Sequence, residues 1–247
     1  MYKGKNIECV LCGKNNCKLT KEHHPTKGLI ENKIYCEYLV FPTCYDCNNY
    51  YSQCEQILIS IIYYYDYFYN NIDLKSSILK SFERDKKLEK IVLDFYNNKE
   101  SRQDKKIRYI YPVMIKYAKI HNYICQDYYN DELEVKVSYL KFLDEMTKEE
   151  YEEICSIERI EILCEEMQLD YFGRKLFGSN VENYLSSNYY VCKDNVYMDF
   201  NDIYPHEYRF MLYQDIKYSN IKHLKLVIKD ILFCKIDIVD NLGIAII

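Results

Sequence analysis

The sequence lacks the marks of a membrane or secreted protein. No apolar run in its 247 residues reaches about 18 residues without a charge, so we expect no membrane-spanning helix. The first ten residues, MYKGKNIECV, lack the apolar stretch of a secretory signal. Internal repeats and low-complexity segments are lacking as well. These absences predict a cytoplasmic protein.

The sequence also lacks an excess of basic charge. It has 33 lysines and arginines against 38 acidic residues, and its formal net charge is −5. Residues 1–54 carry seven lysines and five acidic residues, whereas the rest carries 26 basic and 33 acidic residues. A protein that binds polyanions alone usually has a basic field. Any basic surface here is therefore local, or a partner supplies it.

The spacing of apolar residues divides the chain into two parts. It predicts helices over residues 54–69, 75–98 and 147–167, a loop over 97–106, and strands over 191–200 and 224–239. Thr147 and Glu150 have the spacing of a capping box. Residues 1–56 form one predicted domain, and residues 57–247 form a second, mainly helical domain with some C-terminal strands. We expect an α+β protein whose second domain is a scaffold or docks a partner or substrate.

Cysteine is abundant, with 12 in the chain, and in a cytosolic protein this number does not indicate a disulfide framework. Two CxxC pairs stand out, Cys9 with Cys12 and Cys44 with Cys47. Two such pairs can bind one ion in a tetrahedral site that suits zinc. Because the protein supplies all four ligands, that zinc is structural. The open alternatives are a redox CxxC, unrelated core cysteines, and replacement of one ligand by a neighbouring cysteine, Cys17 or Cys36.

A zinc ion on both pairs would draw Glu22, His23 and His24 towards Asn48, which directly follows the second pair. A neutral histidine near pH 7 can take a proton from water. Carboxylate and amide oxygens can hold Mg²⁺ or Mn²⁺, which stabilises charge on a phosphate and its leaving oxygen. These residue types suit phosphodiester hydrolysis.

The motifs resemble the zinc-ribbon branch of the HNH endonucleases, which have the ββα-metal (His-Me finger) fold. LTKEHHPTKGL (19–29) resembles the acid–His–Pro strand end of that group. VFPTCYDCNN (40–49) resembles its Pro-x-Cys-x-x-Cys-Asn turn into a helix. The resemblance covers roughly residues 7–56 and implies a small zinc-stapled ββα-metal nuclease domain.

The resemblance also implies a role for each matched residue. His23 is the general base, and Glu22 and Asn48 hold the catalytic Mg²⁺ or Mn²⁺. Lys27 contacts the phosphate, and the structural zinc is held by Cys9, Cys12, Cys44 and Cys47. His24 is either an exposed loop histidine, or a phosphate contact or replacement base. The other reading of Glu22 is a solvated loop charge, and that of Asn48 is an ordinary helix N-cap.

The sequence departs from the group at two positions. Glu22 stands where aspartate is commoner. Glu37 stands seven residues before Cys44, where similar nucleases have an asparagine that orients the base histidine. Either Glu37 or Asn32 would take over that role.

The resulting expectation is a metal-dependent endonuclease that hydrolyses DNA, with RNA as the other open substrate. Similar stand-alone proteins occur in bacterial anti-phage systems, so the resemblance implies an effector of antiviral defence. The acidic second part favours a protein partner, such as an ATPase, that captures the DNA. The alternative is a zinc-stabilised adaptor that binds nucleic acid or protein without catalysis.

Overall fold

The computed structural model describes residues 8–15, 17–29, 39–126, 129–155, 189–191, 196–198, 208–214 and 221–240. Within these ranges the chain contains both helices and strands, as expected for an α+β protein. None of the helices in these ranges is both long enough and apolar enough to cross a membrane.

Three elements form the N-terminal part: strand β1 (Leu19–His24), strand β2 (Leu39–Cys44) and helix α1 (Tyr45–Asn70). The two strands pair antiparallel, and α1 follows β2 directly. Successive side chains of a strand point to opposite faces. Glu22 and His24 are therefore buried on one face of β1, whereas Lys21 is exposed on the other. The helix predicted over residues 54–69 lies inside α1.

Helical structure continues after α1 in the segments α2 (Ser76–Arg84), α3 (Lys86–Asn97), α4 (Lys99–Lys105), a π-helical turn (Lys106–Ile110) and α5 (Tyr111–Gln126). The prediction of one helix over residues 75–98 is wrong in its continuity, because Asp85 separates α2 from α3. The Asp85 carboxylate accepts hydrogen bonds from the backbone N–H groups of Lys87 and Leu88, each at 3.0 Å. It therefore caps α3.

The loop predicted over residues 97–106 is wrong, since α4 and the start of the π-helical turn occupy this segment. Three basic side chains of this segment, Arg102, Lys105 and Lys106, make ion pairs. Arg102 is only 5% exposed, and its guanidinium donates two hydrogen bonds to the Asp144 carboxylate at 2.7 and 2.8 Å. It also lies 4.6 Å from the centre of the Phe95 ring.

A four-stranded antiparallel sheet follows, in the order β3-β8-β7-β6, with strands β3 (Leu133–Phe142), β6 (Tyr208–Gln214), β7 (Ile221–Ile228) and β8 (Leu232–Asp240). The single strand predicted over residues 224–239 is a hairpin of β7 and β8. Lys229 and Asp230 form the turn with φ of 53° and 54°. Such consecutive positive angles are typical of a type I′ turn, and no glycine marks it in the sequence.

The other predicted elements are described only in part. Helix α6 (Lys148–Cys155) begins the helix predicted over residues 147–167. The capping box is confirmed: the Thr147 N–H donates to Glu150 Oε2 at 2.9 Å, and the Glu150 N–H donates to Thr147 Oγ1 at 3.2 Å. Strand β5 (Val196–Met198) lies inside the strand predicted over residues 191–200 and pairs with strand β4 (Tyr189–Val191), which shares only Val191 with that prediction. The remainder of both predictions lies outside the described residues.

One hydrophobic core joins α1, α3 and α5 to the inner face of the sheet. Leu29, which follows β1, belongs to this same core and is fully buried. Leu224 and Ile236 contribute from the sheet, and Tyr117 contributes from α5. The boundary predicted after residue 56 falls within α1, and the division into two domains stays a prediction.

Candidate functional site

The four cysteines of the two CxxC pairs come together at the base of the β1–β2 hairpin. Their sulfur atoms all lie within 4.8 Å of one another. Cys12 Sγ is 3.7 Å from Cys44 Sγ. Zinc–sulfur bonds of about 2.3 Å in a tetrahedron place sulfur atoms about 3.8 Å apart. The predicted set of four is therefore the set that can hold a metal ion such as zinc.

Local hydrogen bonds shape the two loops that carry these cysteines. Gly13 adopts a φ of +65°, and its N–H donates to the Cys9 carbonyl at 2.8 Å. Glycine allows this angle without steric cost. On the other side, Cys44 caps α1 and its sulfur accepts from the Cys47 N–H at 3.5 Å. Cys17 donates to the Lys14 carbonyl at 3.4 Å and is not part of the group.

Electrostatics favour a cation at this group. Burial raises the pKa of Cys9. Burial also raises the pKa of Cys47, which the hydrogen bond with Cys44 and the charge of Cys9 raise further. Four neighbouring thiolates need a positive charge to remain ionised together, and a bound metal supplies it. Cys36, the other replacement ligand considered from the sequence, lies outside the described residues.

Asn48 lies in the first turn of α1 and faces β1. Its amide donates to Thr20 Oγ1 at 2.6 Å, and the Thr20 hydroxyl donates to the Thr43 carbonyl at 3.0 Å. The N-cap reading of Asn48 is wrong, because Cys44 is the cap of α1. Thr20 and Glu22 are two positions apart on one face of β1, so their Cα atoms are separated by about 7 Å along the strand. Asn48 and Glu22 are thus on the same side of β1.

The alternative interpretation of Glu22 as a solvated loop charge is wrong, because Glu22 lies in β1 and is buried. Its side chain is 5% exposed, and its Oε1 atom accepts from Lys116 Nζ at 2.7 Å and from the His23 N–H at 3.1 Å. Lys116, on α5, is fully buried and also donates to Glu55 of α1. Glu55 accepts a second hydrogen bond from Thr26.

Sequence reasoning missed Lys116 and Glu55. Each is a single charged residue in an apolar stretch of a helix, MIKYA in α5 and CEQIL in α1. A lone charge on an apolar helix face is a usable signal, because a fully buried charge requires a partner. The sequence does not show which charged residues pair, because Glu22 and Lys116 are 94 residues apart.

Two carboxylates and one ammonium share this buried site, which leaves one negative charge if all three are ionised. Desolvation raises the pKa of Glu55; the charge of Lys116 opposes the rise and the charge of Glu22 adds to it. Glu22 therefore shares its cation, Lys116, with Glu55. At an effective dielectric constant of about 20, an ammonium about 4 Å away repels a divalent ion by roughly 8 kcal/mol. While Lys116 donates to Glu22 Oε1, the ammonium opposes a divalent ion at that oxygen, and the role of Glu22 as a ligand of Mg²⁺ or Mn²⁺ stays a prediction.

His23 lies on the opposite face of β1 from Glu22 and is half-buried. Burial lowers its pKa, the charge of Lys27 lowers it further, and the charge of Glu22 opposes this. His23 is accordingly neutral at pH 7 and can accept a proton. Lys27 is exposed in the turn after β1, and its influence on this pKa places its charge within electrostatic reach of the ring.

The expectation that His24 is an exposed loop histidine is wrong. Its side chain is 2% exposed, and its Nε2 atom lies 3.2 Å from the Nε2 atom of His121 on α5. Burial lowers the pKa of His24 well below its usual range and lowers that of His121 to about 3. The two rings are therefore neutral, and one donates its Nε2–H to the other. Contact of His24 with a phosphate would require a rearrangement of this buried pair.

The two residues considered for orienting His23, Asn32 and Glu37, lie outside the described residues. Comparisons of the chain with protein-family models, with curated protein sequences and with solved structures found no match. The resemblance to the HNH endonucleases therefore rests on the sequence motifs of residues 7–56.

Proposed function

We propose that this protein is an endonuclease that hydrolyses phosphodiester bonds of DNA through a ββα-metal domain at its N-terminus. The observation that carries the proposal is the neutral, half-buried His23 near the end of β1, in a hairpin that leads directly into α1. The cysteine group at the base of the hairpin supports the same arrangement, whereas Asn48, in the first turn of α1, faces the side of β1 opposite to His23.

In the proposed reaction His23 takes a proton from water, and the resulting hydroxide attacks phosphorus. The bond between phosphorus and the 3′ oxygen breaks, and that oxygen leaves with a proton from solvent, so the products carry 5′-phosphate and 3′-hydroxyl ends. Lys27, whose charge lowers the pKa of His23, would draw the phosphate towards it. A divalent ion, when bound, would stabilise negative charge on the phosphate. The resemblance assigns that ion to Glu22 and Asn48, but Glu22 pairs with Lys116 in this arrangement. The steps assigned to the chain are therefore those of His23 and Lys27.

The zinc of the proposal is structural and sits on Cys9, Cys12, Cys44 and Cys47. With four protein ligands no coordination position is left for water or substrate. The ion would tie the loop before β1 to the start of α1 and so hold His23 and Asn48 in place. The Val10 N–H, which donates to the Pro42 carbonyl at 3.0 Å, supports the same connection.

The test is cleavage of supercoiled plasmid with Mg²⁺ or Mn²⁺ by the wild type and by His23→Ala. His223→Ala serves as the matched control, because this histidine lies on β7 beside Asp237. We expect nicking by the wild type and the control, with a rate at least about 100-fold lower in His23→Ala. Zinc content and circular dichroism are measured on all three proteins. Undiminished cleavage by His23→Ala would remove His23 from the role of base.

The second candidate function is a zinc-stabilised adaptor that binds nucleic acid or protein without catalysis. The observation that favours it is the ion pair of Glu22 with Lys116, which satisfies a carboxylate that the nuclease would use for metal. The adaptor predicts binding that is insensitive to Mg²⁺. If the wild type with zinc cleaves neither DNA nor RNA, the adaptor is the better assignment.

The proposal includes a protein partner that captures DNA and a biological role in anti-phage defence. The net charge of −5 does not favour unaided capture of a polyanion. A partner such as an ATPase would bring the DNA to the protein, and the resemblance places such nucleases in anti-phage defence. Rapid cleavage by the purified protein at physiological salt would remove the need for that partner.

A further inference from the structure

Three segments of the chain converge on the ammonium group of Lys116. Glu22 comes from β1, Glu55 comes from α1, and Lys116 comes from α5. All three residues are at most 5% exposed. Thr26, in the turn after β1, donates to Glu55 and lies 2.9 Å, oxygen to oxygen, from the hydroxyl of Tyr117. The ammonium is thus enclosed by carboxylates on two elements.

The carboxylates surround the Lys116 ammonium as protein oxygens surround a bound metal ion, and the ammonium occupies the place of the ion. Glu22 Oε1 is already held by two donors, Lys116 Nζ and the His23 N–H. A divalent ion at Glu22 Oε1 would have to displace the Lys116 ammonium, which the protein holds at full burial. Like charges at contact distance in a buried site repel strongly.

We propose that Lys116 is a resident counterion that keeps divalent metal ions off Glu22 in the protein without nucleic acid. The inference rests on the proposed function and concerns the regulation of its site: metal reaches Glu22 only after Lys116 has been drawn away from it. Glu22 is then a positioning residue in the resting protein, since its carboxylate holds the His23 backbone N–H at 3.1 Å.

The test measures Mn²⁺ binding to the zinc-loaded full chain, from the electron paramagnetic resonance signal of free Mn²⁺. Five proteins are compared: the wild type, Glu22→Gln, Lys116→Met, the double variant Lys116→Met/Glu22→Gln, and Lys222→Met. Lys222 is the matched control, because it is equally buried and its ammonium donates to the neutral side chain of Asn122 at 2.9 Å. No step of this measurement depends on nuclease activity.

The proposal predicts that Glu22→Gln binds Mn²⁺ within twofold of the wild type, because Glu22 contributes nothing while Lys116 is in place. Lys116→Met should bind Mn²⁺ at least tenfold more tightly than the wild type, and the double variant should lose that gain. Lys222→Met should behave as the wild type does.

Two results would overturn the proposal: a tenfold or greater loss of Mn²⁺ affinity in Glu22→Gln, or a folded Lys116→Met with no gain. If Lys116→Met does not fold, the comparison of Glu22→Gln with the wild type decides, because this variant removes the excess negative charge of the site. Failure of the proposed function is seen separately, as absence of plasmid and RNA cleavage by the wild type. If the wild type cleaves nucleic acid and Glu22→Gln loses Mn²⁺ affinity, the proposed role of Lys116 is refuted, and the proposed nuclease function is not.

Discussion

Replacing His121 with leucine should make the protein less sensitive to acid. His121 is 3% exposed and paired with His24, and burial lowers its pKa to about 3 from an ordinary value of 6.5. A histidine with a lowered folded-state pKa stabilises the fold above pH 6.5, and this contribution is lost as the pH falls towards 3. Between pH 7 and pH 5 the loss from His121 alone amounts to about 2 kcal/mol.

The assay is equilibrium unfolding by urea at pH 7 and pH 5 for the wild type and His121→Leu. At pH 7 the variant should be less stable by about 1–3 kcal/mol, because His24 loses its buried hydrogen-bond partner. At pH 5 this difference should shrink by about 2 kcal/mol, because only the wild type retains the acid-sensitive His121. Titrating groups other than His24, which contacts the substituted ring, are common to both proteins and cancel in the comparison. An equal loss of stability on acidification in both proteins would refute the reasoning.

Two further perturbations test other parts of the structure. Cys44→Ser should lower the zinc content, measured by atomic absorption, from one ion per chain to a small fraction, and should lower the melting temperature, whereas Cys17→Ser should leave both unchanged because Cys17 is outside the group. Arg102→Met should destabilise the protein by about 3–5 kcal/mol in urea unfolding, because it leaves Asp144 half-enclosed without its cation. Lys86→Met, which breaks the exposed pair with Glu89, should change the free energy of unfolding by less than about 1 kcal/mol. Similar losses of stability in Arg102→Met and Lys86→Met would contradict this account.

The cysteine group could be predicted because its geometry is largely local. Each CxxC pair spans one turn of the backbone, so both sulfur atoms of a pair face one point whatever the rest of the chain does. The capping box of Thr147 and Glu150 was predictable for the same reason, since both of its hydrogen bonds span three residues.

Errors arose wherever a polar residue finds its partner far along the chain. The stretch around Arg102 has the composition of a loop, but Asp144 provides an ion pair 42 residues away and the segment is helical. His24 has the appearance of a loop histidine, but its partner on α5 is 97 residues away. The turn at Lys229 and Asp230 escaped notice because lysine seldom adopts a positive φ and no glycine marks the turn.

The sequence by itself determined which residues can carry chemistry: four cysteines at the spacing of a metal site, and Glu22, His23 and Asn48 between or beside them. The tertiary structure alone decided the state of those residues. It gave Glu22 a buried ammonium and His24 a buried ring as partner, and it left His23 on the other face of β1. The physical reason is that spacing fixes what lies within one turn, whereas the charge that neutralises a buried group comes from any part of the chain that packs against it.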